Sequence, residues 1–455
     1  MSLTVTCNAW TGNGKTDGEI ADPAEWSLRR NIEAAPRLLA PRTVDLRNWQ
    51  DPSVGWGVVI AEGTKIPAPL QELITTRKAP VFRYKSDWAF QYVLLRNADA
   101  GKDIDINAAP RGTAPDALPY YLLIYGSPKE VPWRLQYVLN ANRCVGRLHL
   151  TGEKLTNYLS ALASGDWGRS ASPVNSNHAL VWAVNHGSGD ITELMRDGIA
   201  APLAKELSED NQIGAGMRFI DGSNDTADQA SLIAALGTDR PGLIVTTSHG
   251  MTGPLGQDDA MRTNLGLPVD SAGQMVKPRE LLDGWKPCGA IWYSHACCSA
   301  GSDDSSSFTE LLTPASKAGQ VIAAVAGLGA QVAPLPTELL GAKQPLRAFI
   351  GHVEPTFDWT LQQPATGQLL TSSIIDALYG RMYVAKGDIE RPIGEAFRDW
   401  YGRTNGLRTM YEKALRGFNH GEATDDLLLA LQLAARDVES TVILGDPTVA
   451  MPALE

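Results

Sequence analysis

"GLIVTTSHG" (242–250) and "GAIWYSHACCSAG" (289–301) are two apolar runs that each end in a polar turn. Both are short, rich in β-branched and aromatic residues and closed by small residues, the pattern of strands rather than helices. Their apolar residues are continuous instead of alternating, as expected for strands covered on both faces of a parallel sheet. Between them "KPRELLDGW" (277–285) reads as a short helix opened by proline. A strand, a helix and a second strand form a right-handed crossover unit. His249 and Gly250 then lie just past one strand, and Cys297 and Cys298 just past the next. Open α/β sheets hold their reactive groups at that carboxyl edge.

The same rhythm extends in both directions. "ALVWAV" (179–184), "MRFI" (217–220) and "QVIAAVA" (320–326) read as further strands, with "LRAFI" (346–350) as one more. "DITELMRDGIAAPLAKELSED" (190–210), "DQASLIAAL" (228–236) and "SSFTELLTPASKAG" (306–319) read as helices. The expected fold class is therefore α/β, with a mostly parallel sheet flanked by helices. Upstream, "YYLLIYGSP" (120–128) is a strand, "RLQYVLNANRCVGRL" (134–148) follows it, and "TGEKLTNYLSALASGDWG" (151–168) is a helix. "SASPVNSN" (170–177) has linker composition. These features divide the chain into an N-terminal region (1–172), a central α/β domain (173–353) and a C-terminal, mainly helical extension (354–455). The extension closes in the strand-like "STVILGDPTVAMP" (440–452).

Composition narrows the function. The chain has 455 residues, 44% hydrophobic and 20% charged, as a globular protein does. Its net charge of −11 argues against a constitutive nucleic-acid partner, which needs a basic face. Five cysteines without framework spacing fit free thiols in a reducing compartment. The N-terminus lacks the basic and apolar regions of a signal peptide. The longest apolar run, near 321–333, is too short to span a bilayer. A cytoplasmic protein without a membrane partner is expected.

His249 stands 48 residues before Cys297. The blocks "IVTTSHG" and "LPVDSAGQMVKPRELLDGWKPCGAIWYSHACCSAG" resemble the caspase-like (clan CD) cysteine peptidases, closest to the gingipain-like and bacterial CHAT branches. "YYLLIYGSP", "VGRL" and "EKLTNYLSAL" resemble the non-catalytic first subdomain of gingipain-like proteins, a degenerate α/β unit. "ILGDPTVAMP" (443–452) resembles a terminal "GDP" strand found in these groups. The resemblance covers about 119–452.

It implies a cysteine endopeptidase acting on protein or peptide substrates through an acyl-enzyme. Cys297 would be the nucleophile, because the family's cysteine directly follows alanine. His249 would be the acid/base, and the Gly250 and Cys297 N–H groups the oxyanion hole. Adjacent side chains point apart, so Cys298 is expected beneath the following turn. In relatives that cleave after basic residues, an acidic residue near the loop after the first strand binds the P1 side chain. Asp190, in "VNHGSGD" (184–190), is the residue here, which points to Arg or Lys at P1. His186 in the same loop is a rival histidine. His295, two residues before Cys297, occupies a position where many relatives place a pocket residue. A neutral histidine there would hydrogen-bond substrate, and a charged one would favour an acidic or polar P1 group. Such a peptidase would need restraint by a regulatory partner, an activating ligand or a cleavage event. The alternative reading is a catalytically inactive caspase-like scaffold or peptide-binding protein.

No cofactor is expected. "SDDSSS" (302–307) together with Asp258 and Asp259 leaves open a weak Ca²⁺ site. Cys288, His295, Cys297 and Cys298 lack the paired spacing of a zinc site. "AWTGNGKT" (9–16) matches a loose phosphate-loop pattern, but Gly18 and Pro23 oppose the helix such a loop must open.

Overall fold

The computed structural model describes residues 4–7, 16–19, 44–87, 92–168, 174–363, 366–384, 388–421, 425–452 and 454. Residues 1–45 form one unit, in which Thr4–Cys7 pairs antiparallel with Thr16–Glu19. The phosphate-loop lysine, Lys15, lies outside the described residues, and its neighbour Thr16 begins a strand rather than a helix.

Residues 46–455 form the second unit, built on a twelve-stranded sheet. Its strands are β1 (Trp56–Ala61), β2 (Val81–Tyr84), β3 (Leu94–Asn97), β4 (Lys102–Asp105), β5 (Tyr121–Tyr125) and β6 (Cys144–Leu148), then β7 (Asn175–Ala183), β8 (Met217–Asp221), β9 (Pro241–Thr247), β10 (Ile291–His295), β11 (Ala348–His352) and β12 (Thr441–Gly445). The spatial order is β8-β7-β9-β10-β11-β12-β6-β5-β1-β2-β3-β4. The sheet is mostly parallel. Only β12 against β11 and the edge pairs β2–β3 and β3–β4 run antiparallel. Segments that read as separate regions in the sequence thus share one sheet. The last strand joins them, pairing with β11 on one side and with β6 on the other.

Two short sequence signals explain that joint. In "VGRL", Gly146 faces the backbone of β12 so closely that a Cβ would lie 2.1 Å from the Gly445 carbonyl oxygen. Only glycine permits that approach. In "GDP", Asp446 is buried and accepts from Trp56 Nε1 at 2.9 Å, while Arg77 lies 3.3 Å from the same carboxylate oxygen. Its N–H donates to the Tyr158 hydroxyl at 2.7 Å. One carboxylate therefore ties β12 to β1 and to the helix Ala68–Arg77.

Residues 56–105, which carry no motif, extend the sheet by four strands. Val59, Phe82, Leu95, Leu122, Ile124 and Val145 make one core with Leu135 and Leu139 from the helix Trp133–Asn140. The spacing of those two leucines puts both on one helix face. Each buried leucine contributes about 1.5–3 kcal/mol.

One expectation is reversed. "QVIAAVA" is not a strand but most of the helix Lys317–Gly327, and the helix expected over 306–319 is largely turns. Pro314 breaks the earlier segment, and the Ser316 hydroxyl caps the later one by accepting from Gly319 N at 3.0 Å. Ile322 and Val325, three apart, bury one helical face. A short β-branched run cannot reveal by itself which period it follows. Among the described residues, no helix is long and apolar enough to cross a membrane.

Candidate active site

Three parallel strands end at one level. Ala183 of β7 pairs with Thr247 of β9, and Thr247 pairs with His295 of β10. His249 and Cys297 are each the second residue past those paired ends, so the sheet register sets them at equal height. The Ser248 N–H donates to the His295 carbonyl at 3.3 Å, which keeps the two exits together. A Cβ on Gly250 would lie 1.9 Å from the Cys297 carbonyl oxygen and 2.9 Å from its nitrogen. Glycine at 250 is thus a packing requirement, and it brings the two backbones into contact. The Cys297 N–H donates to no backbone carbonyl among the described residues.

The loop after β7 supplies the third group. Asp190 Oδ2 lies 3.0 Å from His249 Nε2. Asp190 Oδ1 accepts from the Thr192 N–H at 2.9 Å and from its hydroxyl at 2.5 Å, capping the helix Ile191–Met195. Burial opposes the charge on Asp190, but the two Thr192 bonds and the imidazole outweigh it and draw its carboxyl down to about 2. The His186 ring stacks on His249 with centroids 5.5 Å apart. His249 remains 39% exposed and so open to a substrate. The Asp190 carboxylate, expected in a P1 pocket, is engaged with His249 and Thr192. His186, the rival histidine, packs against His249.

Cys297 is half-buried beside the apolar cluster of Met261, Leu265, Val325 and Leu328. The Thr356 N–H donates to its sulfur at 3.4 Å. Burial pushes the thiol above its ordinary value, and the Thr356 contact only partly offsets this. Cys298 turns away as expected. It is buried, at φ +56°, and its N–H donates to the Glu354 carbonyl at 3.0 Å. A left-handed cysteine is uncommon, and here it makes the sharp turn that separates the two thiols. Cys144, Cys288, Cys297 and Cys298 are all free.

His295 also differs from expectation. It is 2% exposed, so it cannot meet a P1 side chain directly. Its Nδ1 lies 2.8 Å from the Tyr293 hydroxyl, and its ring meets His352 edge-on at 4.7 Å. Burial, then the neighbouring His352, push its pKa well below the ordinary value, which keeps it neutral. His352 Nδ1 stands 3.4 Å from Asp437 Oδ1. Asp437 Oδ2 in turn accepts from Phe357 N at 3.3 Å and from the Thr360 hydroxyl. Sequence reasoning missed Thr356, His352 and Asp437. The available signal was "AFIGH" (348–352), a third apolar run ending in histidine on the same sheet edge.

Among the described residues, no three His, Cys, Asp or Glu side chains gather as metal ligands, so Asp303 and Asp304 are not joined with Asp258 and Asp259 in such a group. The arrangement can do nucleophilic chemistry. It holds a thiol, a carboxylate-oriented imidazole and adjoining backbone N–H groups on one sheet edge. Comparison with protein-family models, with curated proteins and with solved structures finds no match to this chain.

Proposed function

We propose that the protein is a cysteine endopeptidase that uses Cys297 as nucleophile, His249 as acid/base and Asp190 as the group that orients His249. The observation that carries this reading is the Asp190–His249 contact beside Cys297 at matched strand ends. With Nε2–H donated to Asp190, Nδ1 is the nitrogen left to move a proton. The Cys297 sulfur attacks the scissile carbonyl carbon, the leaving amine departs with the proton carried by His249, and a thioester remains. Water then attacks the thioester and the thiol is restored. The Gly250 and Cys297 N–H groups are the donors for the tetrahedral oxyanion. The raised thiol pKa fits a nucleophile that ionises when substrate and imidazole are in place.

Cleavage after Arg or Lys loses the carboxylate that suggested it, since Asp190 serves His249. A second reading, an inactive peptide-binding scaffold, is favoured by one observation: the sulfur is hydrogen-bonded to Thr356 and packed against apolar side chains. A fluorogenic peptide panel varied at P1 separates the two. The expected result is turnover by wild type and Cys298→Ala, and none by Cys297→Ala or His249→Ala. Activity that survives Cys297→Ala but not Cys298→Ala would refute the assignment. If no peptide is cleaved and a peptidyl chloromethyl ketone labels Cys297 no faster than a free thiol, the scaffold reading replaces it.

A further inference from the structure

A large cavity lies away from Cys297. It holds about 1170 Å³ and opens between the helix Trp133–Asn140, the 303–310 segment that follows the cysteine turn, and the helices Arg398–Asn419 and Asp425–Ser440. That is ample for a small-molecule ligand.

Its lining includes buried polar groups that the protein leaves unmatched. Asn140 is 2% exposed, and both atoms of its side-chain amide lack a hydrogen-bond partner. The buried Tyr401 and the neighbouring Tyr137 each present a hydroxyl without a partner. Buried polar atoms are ordinarily paired, so these side chains lack the partner such groups usually have.

The buried Glu354 and the half-buried Asp303 line the cavity, and neither forms an ion pair among the described residues. Burial pushes the Asp303 carboxyl up to about 6 and raises Glu354, with Asp303 adding to the latter. Lys129, Arg134 and Arg408 are exposed, Arg436 is half-buried, and Arg408 already pairs with Glu439. With Asp304, Glu310 and Glu439 also in the lining, carboxylates outnumber basic groups there by five to four.

Glu354 connects this cavity to the thiol. Its side chain accepts from the Ser307 hydroxyl at 2.8 Å inside the cavity. Its backbone carbonyl accepts from the Cys298 N–H, and two residues later the Thr356 N–H donates to Cys297 Sγ.

We propose that this cavity is an effector site for a small ligand bearing an ammonium or guanidinium group, and that its occupancy alters Cys297 through the Glu354–Thr356 segment. The cation would sit between Asp303 and Glu354, with polar atoms of the ligand on Asn140 and Tyr401. The regulatory half of the proposal rests on Cys297 being the reactive thiol, and the binding half does not.

The test uses agmatine as probe and citrate as an anionic control, with the full chain. Calorimetry should show saturable agmatine binding, equal in wild type and Cys297→Ala. Glu354→Gln should weaken it about tenfold and Tyr401→Phe severalfold. Saturating agmatine should change the rate at which iodoacetamide alkylates Cys297, followed by mass spectrometry, by about twofold or more. No saturable binding, equal binding by both cavity variants, or binding of citrate instead would overturn the site. Binding that leaves alkylation of Cys297 unchanged would overturn the coupling. A chain that binds agmatine and changes its alkylation rate, yet cleaves no peptide, would overturn only the peptidase reading.

Discussion

Asp190 and His249 are 59 residues apart in the chain and 3.0 Å apart at their side chains. The same carboxylate caps the helix Ile191–Met195 through Thr192. Two roles in one residue can be separated by substitution. Asp190→Asn keeps a capping oxygen and loses the charge that orients His249. Peptide turnover should fall by about ten- to a hundredfold while the capped fold is retained. Asp190→Ala should lose both, with about 1 kcal/mol of additional destabilisation in urea unfolding. Equal turnover by Asp190→Asn and wild type would remove Asp190 from the mechanism.

The depressed Asp190 carboxyl also has a signature in stability. A carboxyl whose folded value lies below its unfolded one stabilises the fold above the unfolded value, and that contribution is lost as pH falls towards the folded one. The advantage of wild type over Asp190→Asn should be present at about pH 5 and vanish by about pH 2, read from urea midpoints. A difference that stays constant across that window would contradict the ionised contact.

Gly250→Ala would place a methyl group where the Cys297 carbonyl oxygen lies. The two loops must then separate, at a cost of about 1–3 kcal/mol in stability. Displacing both oxyanion donors should lower turnover by about a hundredfold or more. Retained activity with an unchanged melting temperature would show that the backbones do not meet.

Burial disfavours the Cys297 thiolate, so ionisation needs a higher pH than for a free thiol. The alkylation rate of Cys297 in the substrate-free protein should therefore rise with a midpoint above the free-thiol value of about 8.5. A midpoint below that value would indicate a preformed thiolate–imidazolium pair.

Asp446 is a buried carboxylate with partners on β1 and on the helix Ala68–Arg77. Asp446→Ala leaves Arg77 without its carboxylate and Trp56 Nε1 without an acceptor, and should cost about 3–5 kcal/mol in denaturant unfolding. Because β12 lies between β11 and β6, both halves of the sheet should lose protection from hydrogen exchange together. Loss confined to one half would mean that β12 does not couple them.

Chemistry tied to local order could be read along the chain. Apolar runs of strand length, their helical spacers and the small residues after them placed His249, Gly250 and Cys297 on one edge, because strand direction and side-chain alternation are properties of a few consecutive residues. Cys298 was set apart from Cys297 by the same logic, although its left-handed backbone was not foreseen. What depended on distant segments could not be read in this way. Whether 320–326 bends into a helix was decided by the core it packs against. The partner of Asp190 was decided by the register of β7 on β9, which sets the loop after one strand over the exit of the next. His295 is buried where β10 lies beside β11, and His352 packs edge-on against it. Residues 56–105 carry no motif because they extend a sheet, and many apolar sequences can do that. Residue type and spacing named the candidate groups, and only the pairing of strands far apart in the chain decided which of them touch.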